Sequence, residues 1–156
     1  MKHLIYISIL LFIVFSSCSN KKPMYEQTIH FPDHQWNRFH IIEFMPEVKK
    51  VKKPYDIKLV LTYTEEYPYE TIPVNTVLTY PNGQKNILRY VFLVKDKNGF
   101  IGTVDGNKRS IQATIHSNKQ LPEPGIYTFT VQQLTQYYDL ENIVSVHCIV
   151  VPSKKK

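Results

Sequence analysis

Alternation of apolar and polar side chains, residue by residue, is the feature that most limits what this chain can become. In YDIKLVLTYT, Ile57, Leu59, Leu61 and Tyr63 lie on one face and Lys58, Val60, Thr62 and Thr64 on the other, the two-residue period of a half-buried strand. The same period returns in RSIQATIHS and GIYTFTVQQL. Asn82-Gly83, after Pro81, supplies the positive φ that a tight hairpin needs, which predicts antiparallel pairing of 74–80 with 86–94. Asn98-Gly99 repeats that chemistry. Ile143 to Val151 is almost wholly apolar and suits a central strand or one buried on both faces. Pro122 and Pro124 stiffen the entry to GIYTFTV. Strand-favouring residues dominate the whole chain, eleven tyrosines among them, and beyond the leader no stretch carries a helical stripe. Strands spaced about ten residues apart predict an all-β fold, an antiparallel β-sandwich of immunoglobulin or jelly-roll kind. It would occupy 25–152 as a single domain, followed by a basic tail at 153–156.

The start of the chain obeys a different logic. Lys2 and His3 are followed by a twelve-residue apolar run, Leu4 to Phe15, then by Ser16, Ser17 and Cys18. That is the layout of a secretory signal peptide, 1–17. A membrane-spanning helix needs roughly 20 apolar residues, and this run gives way to Ser19, Asn20, Lys21 and Lys22. Small residues ahead of a cysteine look like a bacterial lipobox, with Phe15 where leucine is usual. Cys18 is then the lipidation site and 18–24 a lipidated tether. Several acyl chains hold a protein on a membrane where one chain does so only reversibly.

Removing 1–17 leaves 139 residues with 18 basic and 13 acidic side chains. A chain of this length needs neither disulfide nor metal to fold, and Cys148 would be its one remaining thiol, placed like a small buried hydrophobe. Much of the basic excess sits in KKVKK, Lys49 to Lys53, and in the last three lysines. Such runs are solvated loops and tails first, and attraction to anionic lipid headgroups is their alternative reading. Nucleic acid is not an expected partner, because the basic residues are not spread along one face among aromatics.

Catalytic constellations do not stand out. The six histidines form neither HExxH nor a Cys/His ligand spacing, and no GxSxG occurs. Glu65, Glu66 and Glu70 crowd one turn-like segment beside Pro68, whereas glycosidic hydrolysis needs two carboxyls facing across a cleft. Asp96 and Asp105 sit in turn chemistry that lacks the closing glutamate of a calcium loop. No enzyme, cofactor or metal is therefore expected. Aromatic residues are the better candidates. Trp36 is the one tryptophan, either a core plug or a binding anchor. Tyr67 and Tyr69 flank Pro68, and Tyr137 and Tyr138 form a second pair; exposed tyrosines make protein contacts and sugar platforms. Trp36, Tyr67 and Tyr69 are the candidate interaction residues.

In order and spacing, these segments resemble the GldH family of gliding-motility lipoproteins of Bacteroidota, from about Tyr25 to Val151. The residues that carry the resemblance are Trp36 with Phe39, YDIKLVL, Tyr67-Pro68-Tyr69, Pro81-Asn82-Gly83, DKNGFIGT, GIYTFTVQQ and LENIVSV. The chain departs from the family pattern at Asn142 and His147, where glycine is common, and carries one glycine, Gly102, in place of a Gly-x-Gly. The resemblance implies an envelope-anchored, non-enzymatic accessory or scaffold of gliding-type machinery that docks onto other envelope proteins, also found in species that do not glide. A glycan is the alternative partner, through the tyrosines. Basic residues after Cys18 favour the periplasmic face of the outer membrane.

Overall fold

The structure is a computed structural model that describes residues 22–51 and 53–154. The expected signal peptide, Cys18, most of the tether and the last two lysines lie outside the described residues. Among those described there is no helix, and the strands run in chain order as follows. The first seven are β1 (Tyr25–His30), β2 (Gln35–Asn37), β3 (Ile42–Phe44), β4 (Glu47–Val48), β5 (Tyr55–Thr64), β6 (Thr71–Thr79) and β7 (Lys85–Leu93). Then come β8 (Lys95–Asp96), β9 (Gly99–Phe100), β10 (Thr103–Asp105), β11 (Lys108–Lys119), β12 (Gly125–Ile126), β13 (Thr128–Gln133), β14 (Asp139–Glu141) and β15 (Ile143–Pro152).

Two antiparallel sheets hold the core between them. The larger has the order β1-β15-β5-β11-β10 and the smaller β3-β13-β6-β7; three two-stranded ribbons, β12-β4, β14-β2 and β8-β9, complete the pattern. The fold is the expected all-β sandwich. Its alternation translates directly into burial, because successive side chains of a strand point to opposite faces. Ile57, Leu59, Leu61 and Tyr63 of β5 are all buried. They stand beside Val150, Cys148 and Val146 of β15, with Cys148 opposite Leu59. On the facing sheet Phe129 pairs with Phe44 on one side and Leu78 on the other, and all three are buried. β15 is an interior strand, which is why its sequence is so apolar. It joins β1, the first strand, to β5, so chain start and chain end meet in one ladder.

The hairpin of β6 and β7 pairs Thr71 with Leu93 through Thr79 with Lys85; β6 begins three residues earlier than the sequence suggests, and β7 ends one residue sooner. Pro73 falls inside β6, where β13 has just ended; its carbonyl accepts the Leu134 N–H at 2.9 Å. At the tight end, the Gly83 N–H donates to Tyr80 O and the Tyr80 N–H to Gln84 O. Only Gly83 has positive φ there, +84°, so the loop is a three-residue turn with a glycine bulge rather than a two-residue one. Gly102 is more strictly required: its φ is +107° and a Cβ would meet the Ser110 carbonyl oxygen at 2.6 Å. Asn142 takes φ +66°, a conformation that glycine adopts freely and asparagine tolerates. His147, by contrast, lies in β15, its Nδ1 2.7 Å from Thr28 Oγ1.

β7 is an edge strand, and its outer face leaves Ile87, Val91 and Leu93 about half exposed or more. The inner face of this strand contributes Phe92 to the core.

Candidate functional site

Aromatic side chains gather at the end of the sandwich where β5 finishes and β6 begins. Trp36 does not join them at the surface. It is fully buried, stacked on Phe31 at 5.5 Å, and its indole N–H donates to His40 O at 3.0 Å. This corrects its candidacy as an interaction anchor and leaves it as a core plug. Tyr67 is corrected in the same way: it has no exposed surface, and its hydroxyl donates to Thr71 O at 3.0 Å, closing the loop between β5 and β6. Burial and the neighbouring Tyr69 and Tyr137 push the Tyr67 phenol far above its usual range. Tyr63 beneath it donates to Val94 O and Ile101 O.

Tyr69 remains at the surface, 36% exposed. Its ring meets the edge of Tyr67 at 5.5 Å and stacks on Tyr137 at 4.8 Å with 19° between planes. The two tyrosine pairs read from the sequence are thus brought together by the fold, and with Tyr63, 6.0 Å from Tyr67, they form a continuous column from core to solvent. Hydrogen bonding to Tyr137 raises Tyr69 to about 12, and hydrogen bonding to Tyr69 lowers Tyr137, which ionises first. A shallow cleft of about 240 Å³ opens beside the stack, between Pro68, Tyr69, Tyr137, Asp139 and Glu141. The stack uses one face of each ring, which removes part of the flat surface that a sugar ring would cover.

Next to this column stands a second cluster. Phe39 and Tyr138 are 70% and 66% exposed. Their rings lie 5.9 Å apart, and the Arg38 guanidinium sits 5.9 Å from one and 5.8 Å from the other. Three groups hold the backbone that carries these side chains. Asn37 accepts the Phe39 N–H at 2.9 Å and donates to Asp139 at 2.7 Å. Gln132 donates to Arg38 O at 2.9 Å, and the Arg38 N–H to Tyr138 O at 2.7 Å. Gln133 is buried; its amide donates to Tyr137 O at 3.1 Å while its carbonyl accepts from Thr135 N and Oγ1. A satisfied buried amide of this kind fixes a loop, since leaving either end unpaired is costly.

Nothing in the alternation of the sequence marks Arg38 or Phe39 as contact residues. The available signal is small: an arginine beside a phenylalanine in NRFH, a segment without strand period.

Other candidate chemistry does not assemble. Glu65, Glu66 and Glu70 are exposed, and Glu65 pairs with Arg109 at 2.7 Å. Burial pushes the Cys148 thiol up to about 12, so it is a poor nucleophile. Among the described residues, no three His, Cys, Asp or Glu side chains lie together as metal ligands would.

Fold and surface together define an all-β sandwich protein with an ordered aromatic–arginine cluster at one end. Residues 23–148 match the GldH lipoprotein family, and the chain belongs to that family. A similar curated protein is "Gliding motility lipoprotein GldH homolog" of Christiangramia forsetii, 24% identical over 131 residues, which are 83% of this chain and 78% of the relative. Among solved structures, the infectious bursal disease virus VP2 subviral particle aligns with 82% of this chain at a TM-score of 0.38 and 12% identity. This chain spans 32% of that one.

Proposed function

We propose that the protein is a non-enzymatic accessory of gliding-type envelope machinery, held on the periplasmic face of the outer membrane by acyl chains on Cys18. It acts by docking other envelope proteins through Phe39, Tyr138 and Arg38, with Tyr69 and Tyr137 alongside. The observation that carries this reading is the Phe39–Arg38–Tyr138 cluster. Tyrosine, phenylalanine and arginine are the residue types enriched at the energetic centres of protein interfaces. Holding the backbone beneath large rings in place before a partner arrives lowers the ordering cost of binding. Burying one such ring at a contact is worth about 2 kcal/mol or more.

The test is a quantitative comparison of what copurifies, after mild crosslinking in cells, with the native chain and with a Phe39→Ala, Tyr138→Ala variant of equal abundance and membrane retention. A defined set of envelope proteins bound by the native chain and lost roughly tenfold or more by the variant is expected. Equal recovery by both chains, or no specific protein with either, contradicts the proposal.

A further inference from the structure

The opposite end of the sandwich is where the chain enters and leaves the body, and it is rich in lysine. The Met24 N–H donates to Val150 O at 2.8 Å, and the Ser153 N–H to Pro54 O at 2.9 Å. The entry to β1, the exit of β15 and the start of β5 are therefore side by side. A cleft of about 530 Å³ opens there between Met24, Glu47, Lys49, Lys50, Lys53 and Tyr55. Lys22 and Lys154 leave this same end, both exposed. Val51, between the lysines, is 42% exposed. Acids are fewer here: Glu26, Asp56, which accepts from Asn118 N and Ser153 Oγ, Glu47, 3.9 Å from Lys49, and Glu123, which accepts from Asn82 N. At the far end Glu65, Glu66, Glu70, Asp139 and Glu141 surround the aromatic column.

Resting on the reading of Cys18 as the lipid anchor, we infer that this lysine-lined end seats on the anionic headgroups of the membrane that holds the anchor. The chain length sets the geometry. Five residues lie between Cys18 and Met24, and even fully extended the six steps span at most roughly 20 Å. The basic cleft is thus kept within reach of the headgroups, and each lysine near an anionic surface favours the seated orientation by roughly fivefold. Lys49, Lys50 and Lys53 surround Val51, an arrangement in which charged heads meet phosphates and an apolar side chain enters the interface. β5, ten residues long, carries the aromatic cluster roughly 30 Å from this seat.

The experiment uses the full lipidated protein with Val51→Cys, labelled with a fluorophore. Cys18 is blocked by its acyl chains, and burial keeps Cys148 from reacting. Quenching by headgroup-borne quencher is compared on phosphatidylethanolamine vesicles with and without phosphatidylglycerol. Strong quenching is expected only on the anionic vesicles. It should fall with salt, disappear with Lys49→Glu, Lys50→Glu and Lys53→Glu, and persist with Lys97→Glu at the far end. Equal quenching on both vesicles, or indifference to the triple reversal in a chain with unchanged thermal unfolding, overturns the inference. Failure of the protein to float with either vesicle instead overturns the anchor itself, and relief of quenching by inorganic phosphate well beyond that by chloride at equal ionic strength would assign the cleft to free phosphate rather than to lipid.

Discussion

His116 is held in its neutral form by the fold. A register shift in β11, between Thr114 and His116, turns both Ile115 and His116 inward, as a bulge does when it adds one residue to a ladder. Its ring meets Phe129 edge-on at 6.0 Å, and its Nε2 has no hydrogen-bond partner. Burial first, and then the charge of Lys119, lower its pKa from 6.5 to about 4. The unfolded chain binds this proton below pH 6.5 and the folded chain resists it until about 4. Stability from this site is therefore fully present above pH 6.5 and declines as pH falls towards 4, by on the order of 3 kcal/mol. Guanidinium unfolding at the two pH values should show that loss in the native chain and much less of it in His116→Leu. An identical loss in both would mean that other groups drive the acid limb. Trp36 and Tyr67 show the limit of reading single residues. Each lies in a segment without alternation, and both core and surface accept large aromatics; the choice depends on which distant element covers them. For Trp36 that element includes β14, whose Leu140 is its partner in register.

At the scale of elements, β5 is the strand on which most of the sandwich depends, flanked by β15 and β11 along its length. Leu59 is opposed by Cys148 on one side and Ala113 on the other, two small residues that cannot expand into its place. Leu59→Ala should cost about 3 kcal/mol, against under about 0.5 kcal/mol for the outward Lys58→Ala. Denaturant midpoints with unchanged slope would measure the difference, and equal small losses would show that β5 is not central. Gln133→Leu is a test of the loop between β13 and β14. It should lose the bonds to Thr135 and Tyr137 and weaken the lowering of the Tyr137 pKa, seen by alkaline ultraviolet titration; an unchanged titration would show that the loop holds Tyr137 without it. These two elements also mark what was legible. β5, β6, β7, β11, β13 and β15 could be read from alternation and turn residues because those signals are local. β2, β4, β8, β9, β10, β12 and β14 have two or three residues each, too few for a period, and two of them support the candidate site.

For the molecule as a whole, the arrangement that matters is polarity along β5. Chain entry, chain exit and the lysine cleft occupy one end, and the aromatic cluster with its ring of carboxylates the other. The pairing of β1 with β15 creates the first end and that of β2 with β14 the second. Both join residues roughly a hundred or more apart in sequence, contacts that no local pattern encodes. Tyr69 and Tyr137 were visible as candidates for the same reason that their stacking was not: each sits beside its own turn, and only the closed sandwich brings the turns together. The protein's proposed role therefore depends on partners binding at the far end. Photo-crosslinking amino acids placed singly at positions 39, 138 and 60 in living cells test this most directly. Discrete protein adducts from 39 and 138 and none from 60, on the outer face of β5, are predicted; no adduct at 39 and 138, or the same adducts from 60, would contradict it.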